Sequence, residues 1–223
     1  TQIEALSLLE AFKIPTARAR LATSADEAVA IAHTLGGPVA LKVSSRDIEH
    51  KADVDGVKLG LVSEREIREA YDAIAQAVAE RAPAACIDGM LVQQMLVGGR
   101  ETIVGVARDP SFGPLIMFGL GGTLVEATRD VVFRIAPLDD DQAEEMTRAF
   151  RAAPILDAWR GSPAVDRSAV VSVIRRVGQL ACECPAIVEL DINPLLAGPS
   201  SAIALDARVR LRPPDERNPS GNA

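Results

Sequence analysis

The alternation along Val188-Glu189-Leu190-Asp191-Ile192-Asn193-Pro194-Leu195 sets Val188, Leu190 and Ile192 on one strand face and Glu189, Asp191 and Asn193 on the other. Further on, Ala202 to Val209 repeats the pattern, with Ile203, Leu205, Ala207 and Val209 inward and Asp206 and Arg208 outward. Two such strands side by side present Asp191, Asn193 and Asp206 together. Two carboxylates and one amide carbonyl form an all-oxygen set, which holds Mg²⁺ or Mn²⁺ when phosphate oxygens and waters complete the shell. The competing reading is an antiparallel pair with a solvated acidic face, and alternation alone does not choose between them.

Other residues with chemical potential are few. Lys42 interrupts the apolar run Val39-Ala40-Leu41-Lys42-Val43, where an ammonium must reach an edge or meet an anion, because burying it bare costs several kcal/mol. His50 lies in a polar loop near Arg46, Lys51 and Lys58, a setting in which a neutral imidazole can accept or hand on a phosphoryl group; a merely solvated histidine is the alternative. Gly119-Leu120-Gly121-Gly122 has the wrong spacing for a dinucleotide fingerprint, which leaves a phosphate-approaching backbone nest or a tight turn between strands. His33 receives no role, and Cys182 and Cys184 read as small packed side chains.

The totals narrow the classes. With 223 residues, 48% of them hydrophobic, the chain can build one large domain or two intimate subdomains. A formal net charge of −7 argues against broad attraction to nucleic acid or anionic membrane, so any phosphate chemistry needs local positive charge. Aromatics at 3% leave no base-stacking platform. Three cysteines, with no second Cys pair or nearby His to complete a zinc site, fit a reduced, cytoplasmic setting. No apolar run approaches the ~18 residues of a membrane helix, so a soluble protein is expected. The absence of Met at the start reads as a processed chain or a piece of a longer polypeptide.

The positioning elements follow from periodicity. Ile3, Leu6, Leu9 and Phe12 make a helix that ends before Pro15; Ser24 to Glu27 is a capping box for a helix through Leu35; Ser63 to Glu66 is a second box, for a helix with an inner stripe at Ile67, Ala70, Tyr71, Ile74 and Val78. Strands are expected at 39–43, 57–62, 90–97, 101–108, 115–118 and 131–135, and helices at about 140–150 and 166–182. The first half alternates strand and helix as an α/β subdomain, whereas the later strands follow one another without helices and signal an antiparallel portion. After Leu211 the tail is too polar and broken to fold.

Taken together, Pro38 to Val43, the loop Asp47 to Val57 with His50-Lys51, Phe112-Gly113-Pro114 through Gly122, and Glu189 to Leu195 occur in the order of one family. The chain resembles the ATP-grasp part of the NDP-forming acyl-CoA synthetases, relatives of the succinyl-CoA synthetase beta subunit, over residues 1–211.

The resemblance implies an α/β (α+β) ATP-grasp fold whose two subdomains clasp Mg-nucleotide. Residues 21–96 would form the smaller lid, 1–20 and 97–211 the larger half with the metal site, and 212–223 a disordered tail. Lys42 matches the phosphate-binding lysine, Gln93, Gln94, Met95 and Leu96 the hinge whose backbone meets adenine, and Glu101 the ribose-holding acid. Asp191, Asn193 and Asp206 match the magnesium positions. His50 matches a second histidine that relays the phosphoryl group to ADP, and Glu126 and Arg134 are additions near the glycine loop. The implied cofactors are ATP or ADP with Mg²⁺ or Mn²⁺. The implied partner is a CoA-binding subunit or domain carrying a phosphohistidine, within an oligomer, without which acyl-CoA synthesis is incomplete. The chain departs from the family at Ala52, where a Ser or Thr is usual, and at Asp55, where a Gly is usual. Those departures keep open a regulatory ATP-grasp module like that attached to some protein lysine acetyltransferases. A carboxylate–amine ligase is the third reading.

Overall fold

The computed structural model describes residues 1–48, 50–122, 129–158 and 161–213. The chain divides into two compact units, the first made of Thr1–Ser7 and Thr16–Val97, the second of Leu8–Pro15 and the chain from Gly98 onward. Helix α1 (Gln2–Ala11) therefore contributes to both.

In the first unit, β1 (Ala19–Ala22), β2 (Val39–Ser45), β3 (Val57–Leu61) and β4 (Ile87–Gln94) form a sheet in the order β1-β4-β2-β3, antiparallel at every pairing. The strand–helix alternation of the sequence thus yields antiparallel pairing, with β4 inserted between β1 and β2, rather than parallel crossovers. Helices α2 (Ala25–Leu35) and α3 (Glu64–Arg81) cover one face, where Ile31, Leu35, Ile67, Ile74 and Val78 meet Val39, Leu41, Val43, Met90 and Val92 in a single apolar cluster. Strand periodicity then assigns Ala40, Lys42 and Ser44 to the opposite face.

The capping expectations divide. Ser63 and Glu66 form the reciprocal box. Ser24 accepts from the Glu27 N–H at 3.2 Å, but the Glu27 carboxylate reaches one residue further back, to the N–H and hydroxyl of Thr23. Strand β1 has no counterpart among the expected elements: with Arg20 inside a four-residue segment, its pattern is too short to register.

The second unit holds β5 (Arg100–Asp109), β6 (Gly113–Leu120), β7 (Val131–Ile135), β8 (Ile187–Ala197) and β10 (Ala207–Leu211) in the order β10-β8-β5-β6-β7, with β9 (Ala202–Ala204) also on β8. All its pairings are antiparallel, as the run of strands without helices indicates. Helix α4 (Asp140–Ala149) opens on a box between Asp139 and Gln142, a short 3-10 helix follows at Ala153–Leu156, and α5 (Arg167–Glu183) buries Val170, Val173, Ile174 and Val177. Phe118 and Phe150 meet edge to face at 5.5 Å within this core.

One expectation about side-chain phase is corrected. Leu190 and Ile192 are buried on β8, but so are Leu195 and Ala197, so the inward set changes parity across Asn193-Pro194. The register with β5 shifts at the same place, between Thr102 and Val104, which is a bulge. The facing segment follows suit: Ala202 and Ala204 are buried, whereas Ile203 and Leu205, expected inward, are only half-buried. The Arg212 N–H still donates to Ala186 O at 2.8 Å, and the tail from 214 lies outside the described residues.

Candidate functional site

Strand pairing brings the acidic residues of the second unit together. Asp191 on β8 faces Arg208 on β10 and Gly105 on β5. Ala207 faces Ile192 and the Leu205 N–H donates to Pro194 O, so Asp206, between them, falls opposite Asn193. Burial first, then the Asp206 charge and that of Glu189, push the Asp191 carboxyl up to about 6, against a smaller pull from Arg208. Asp191 Oδ1 is buried without a hydrogen-bond partner. A buried carboxylate oxygen left without a donor, crowded by further negative charge, is the situation a divalent cation relieves. Among the described residues no group of three or more His, Cys, Asp or Glu side chains could hold a metal ion, and the further oxygen donor expected from the sequence beside Asp191 and Asp206 is the amide of Asn193.

Asn193 Oδ1 accepts the Gly122 N–H at 2.9 Å. The glycine loop is therefore anchored to the strand of the carboxylates. Its other amides are also engaged, Leu120 N–H with Asp130 O at 3.2 Å and Gly121 N–H with Glu101 O at 2.9 Å. The nest reading is thus not realised in this structure, since these N–H groups point to protein acceptors. The glycines serve close approach: a Cβ on Gly121 would overlap the Thr102 carbonyl and one on Gly122 would overlap the Glu101 carboxylate. Glu101, on β5, is exposed beside this loop. Glu126 lies outside the described residues, and Arg134 pairs with Glu145 at 3.0 Å.

In the first unit, Lys42 is half-buried, with Val57 and Leu91 as its strand neighbours. Ser44, on the same face, keeps a buried hydroxyl oxygen without a partner, a polar atom that periodicity did not single out. Gln93 is buried at the end of β4 opposite Ala40, while Gln94 Oε1 accepts from Arg18 Nε at 3.2 Å. The backbone N–H groups of Gln94 and Met95 donate to Arg18 O and Pro38 O, and Met95 Sδ accepts the Gly60 N–H; Leu96 follows half-buried. These contacts tie the segment from 93 to 96 to β1, to the start of β2 and to β3.

His50 is exposed and opens a turn in which its carbonyl accepts the Asp53 N–H at 3.2 Å. Asp55 closes that turn in left-handed backbone, φ 58°, the conformation a glycine would supply, and Gly56 N–H returns to Lys51 O at 2.7 Å. The Asp55 carboxylate is directed at Lys58 and Arg81, at 3.3 and 3.4 Å. Its charge is thus met by cations on β3 and at the end of α3.

A paired-sheet protein with a lysine inside one strand and an oxygen-donor cluster on another has the architecture of the ATP-grasp proteins. A model of the ATP-grasp domain matches residues 1–211, and the chain belongs to that family. It is 44% identical over 208 residues to the beta subunit of acetate–CoA ligase [ADP-forming] I of Pyrococcus furiosus, covering 93% of this chain and 90% of that one. An acetyl-coenzyme A synthetase of Ca. Korarchaeum cryptofilum, in complex with coenzyme A, Ca-AMPCP and HgCl+, superposes with a TM-score of 0.92 at 43% identity, covering 95% of this chain and 92% of that one. Another structure of that synthetase, with coenzyme A, Mg-AMPPCP and its phosphohistidine segment pointing towards the nucleotide binding site, gives a TM-score of 0.84 at 40% identity over 95% and 92% of the two chains. No helix among the described residues is long and apolar enough to cross a membrane.

Proposed function

We propose that this chain is the nucleotide-binding component of an ADP-forming acid–CoA ligase, moving a phosphoryl group between ATP or ADP and a phosphohistidine during acid + CoA + ATP ⇌ acyl-CoA + ADP + Pi. The observation that carries the reading is the buried, partnerless Asp191 Oδ1 beside Asp206 and opposite Arg208, in a chain that covers nearly the whole of an ADP-forming ligase beta subunit.

In this reading Asp191, Asn193 and Asp206 hold Mg²⁺ or Mn²⁺, which when bound screens charge on the nucleotide phosphates. Lys42 neutralises phosphate charge from within β2, the backbone from Gln93 to Leu96 meets the adenine, and Glu101 accepts from the ribose hydroxyls. His50, exposed at the head of its turn, takes the phosphoryl group on an imidazole nitrogen and returns it. The histidine that first carries phosphate belongs to a CoA-binding partner, and the relative described as a beta subunit supports such a partner here. The regulatory-module reading draws on Ala52 and Asp55; the contacts of Asp55 with Lys58 and Arg81 offset its charge, while Ala52 stands as a departure from the family.

The test is Mg-dependent nucleotide binding by calorimetry, wild type against Asp191→Ala, followed by phosphoryl transfer from a phosphorylated CoA-binding partner with His50 present or replaced by Ala. Loss of binding in the first variant and of transfer in the second is expected. Tight binding with transfer untouched by His50 removal would take the relay role from His50, and absence of binding in the wild type would overturn the reading.

A further inference from the structure

The glycine loop presents a conflict of use. If Asn193 gives its amide oxygen to a cation, that same oxygen is also the one that accepts the Gly122 N–H at 2.9 Å. The two neighbouring amides differ in kind. Leu120 and Gly121 donate to the backbone carbonyls of Asp130 and Glu101, which are fixed in the main chain. Only Gly122 donates to a side chain, and a side chain can re-aim with one or two torsions. The Gly122 amide is bonded to the very side chain read as a cation ligand, so a phosphate oxygen that completes the cation's shell would lie next to it.

We propose that Asn193 Oδ1 is a shared ligand, held by the Gly122 amide without the cation and transferred to the cation when it binds, so that Gly122 N–H is released to a nucleotide phosphate. The proposal rests on the reading of Asp191, Asn193 and Asp206 as cation ligands.

The energetics favour the exchange. A neutral amide–amide hydrogen bond contributes little net stability, whereas a hard divalent cation beside two carboxylates draws a carbonyl oxygen strongly. A freed N–H in a half-buried position then needs an acceptor, and a phosphate oxygen makes a stronger, charge-assisted one than the amide it replaces. The consequence is order: the loop amide is closed to phosphate until the cation is in place, so cation and nucleotide bind cooperatively through one side chain. An amide oxygen has two lone pairs and can also serve both partners at once, which is the arrangement the experiment must exclude.

Amide hydrogen exchange by NMR on the full chain separates the two. Without metal, both Gly121 and Gly122 amides should be protected. Saturating Mg²⁺ alone should speed exchange at Gly122 at least tenfold while leaving Gly121, bonded to Glu101 O, unchanged; adding AMPPCP with Mg²⁺ should restore protection at Gly122. In Asn193→Ala, Gly122 should exchange fast with or without Mg²⁺. Gly122 remaining protected under Mg²⁺ overturns the proposal, and so does equal loosening of Gly121. Calorimetry on the same samples tells the two failures apart: if Mg-AMPPCP binds and Gly122 stays protected, only the shared ligand fails, whereas absence of binding removes the cation site itself and the proposal with it.

Discussion

Asp55 Oδ1 lies 3.3 Å from Lys58 Nζ, and its other oxygen 3.4 Å from Arg81 Nη2, while its backbone holds φ at 58°. Both pairs are about half exposed, so they contribute little, and the left-handed backbone costs roughly 1 kcal/mol for a residue with a Cβ. Asp tolerates that region better than most residues. Asp55→Ala is therefore expected to lower stability by about 1 kcal/mol, and Asp55→Gly to be more stable than Asp55→Ala by a similar amount. Urea denaturation of the three proteins checks the ranking; equal midpoints for Ala and Gly would contradict it.

At Gly121 the constraint is space. A Cβ there would overlap the carbonyl of Thr102, whose hydroxyl is buried and donates to Leu195 O at 2.9 Å. Backbone cannot retreat as a flexible side chain can, so Gly121→Ala should cost about 2 kcal/mol and weaken nucleotide binding along with it. Unchanged thermal midpoint and affinity would show that the loop has room the structure does not display.

Lys42 separates charge from packing. Lys42→Met keeps most of the apolar stem and removes the ammonium. Nucleotide affinity should fall at least tenfold, in line with about 1.5–3 kcal/mol for a charge-assisted hydrogen bond, while the folded state is retained. Calorimetry alongside a thermal melt reads both quantities, and undiminished affinity would remove Lys42 from the phosphate site.

The cap of α5 gives a pH dependence. Asp166 Oδ1 accepts from the Ser168 hydroxyl at 2.6 Å and from the Ala169 N–H at 3.1 Å, and these bonds, the hydroxyl first, lower its pKa. A lowered folded pKa means the stabilisation is present above the unfolded value near 3.8 and is lost as pH falls through the folded one. Asp166→Ala should cost about 1 kcal/mol at pH 7 and progressively less as the pH falls below the ordinary carboxylate range, whereas Asp166→Asn, which keeps an acceptor, should flatten the dependence. Parallel curves for wild type and Asn across pH 2.5–7 would sink the assignment.

Much of the molecule is legible in residue spacing. The stripes of α3 and α5, the boxes at Ser63 and the alternation of β8 up to Ile192 are local patterns, and local patterns survive folding. Asp191 and Asp206 come together because β8 pairs antiparallel with both β9 and β10, although Asp206 lies in the break between those two short strands and not on the single alternating strand expected. What spacing cannot carry is a change of phase. The bulge at Asn193-Pro194 turns the inward set from even to odd positions, and nothing in the apolar pattern announces where a partner strand will slip. The same holds for amide bookkeeping: that Gly122 N–H belongs to Asn193, 71 residues away, is a tertiary fact. Ser44 escaped notice because a serine in a strand looks unremarkable until its oxygen is found buried without a partner.

The early chain has a use that its sequence position conceals. Leu9 and Ile14, almost wholly buried, belong to the second unit, as does Pro15, whose carbonyl accepts the Ala204 N–H at 2.9 Å, and Lys13, whose carbonyl accepts from Arg176. Severing the chain between Val97 and Gly98 would consequently not yield two self-sufficient halves. The carboxy-terminal fragment would lack a plug supplied from the other end of the polypeptide, and would be expected to regain its fold only when a peptide spanning residues 8–15 is added back.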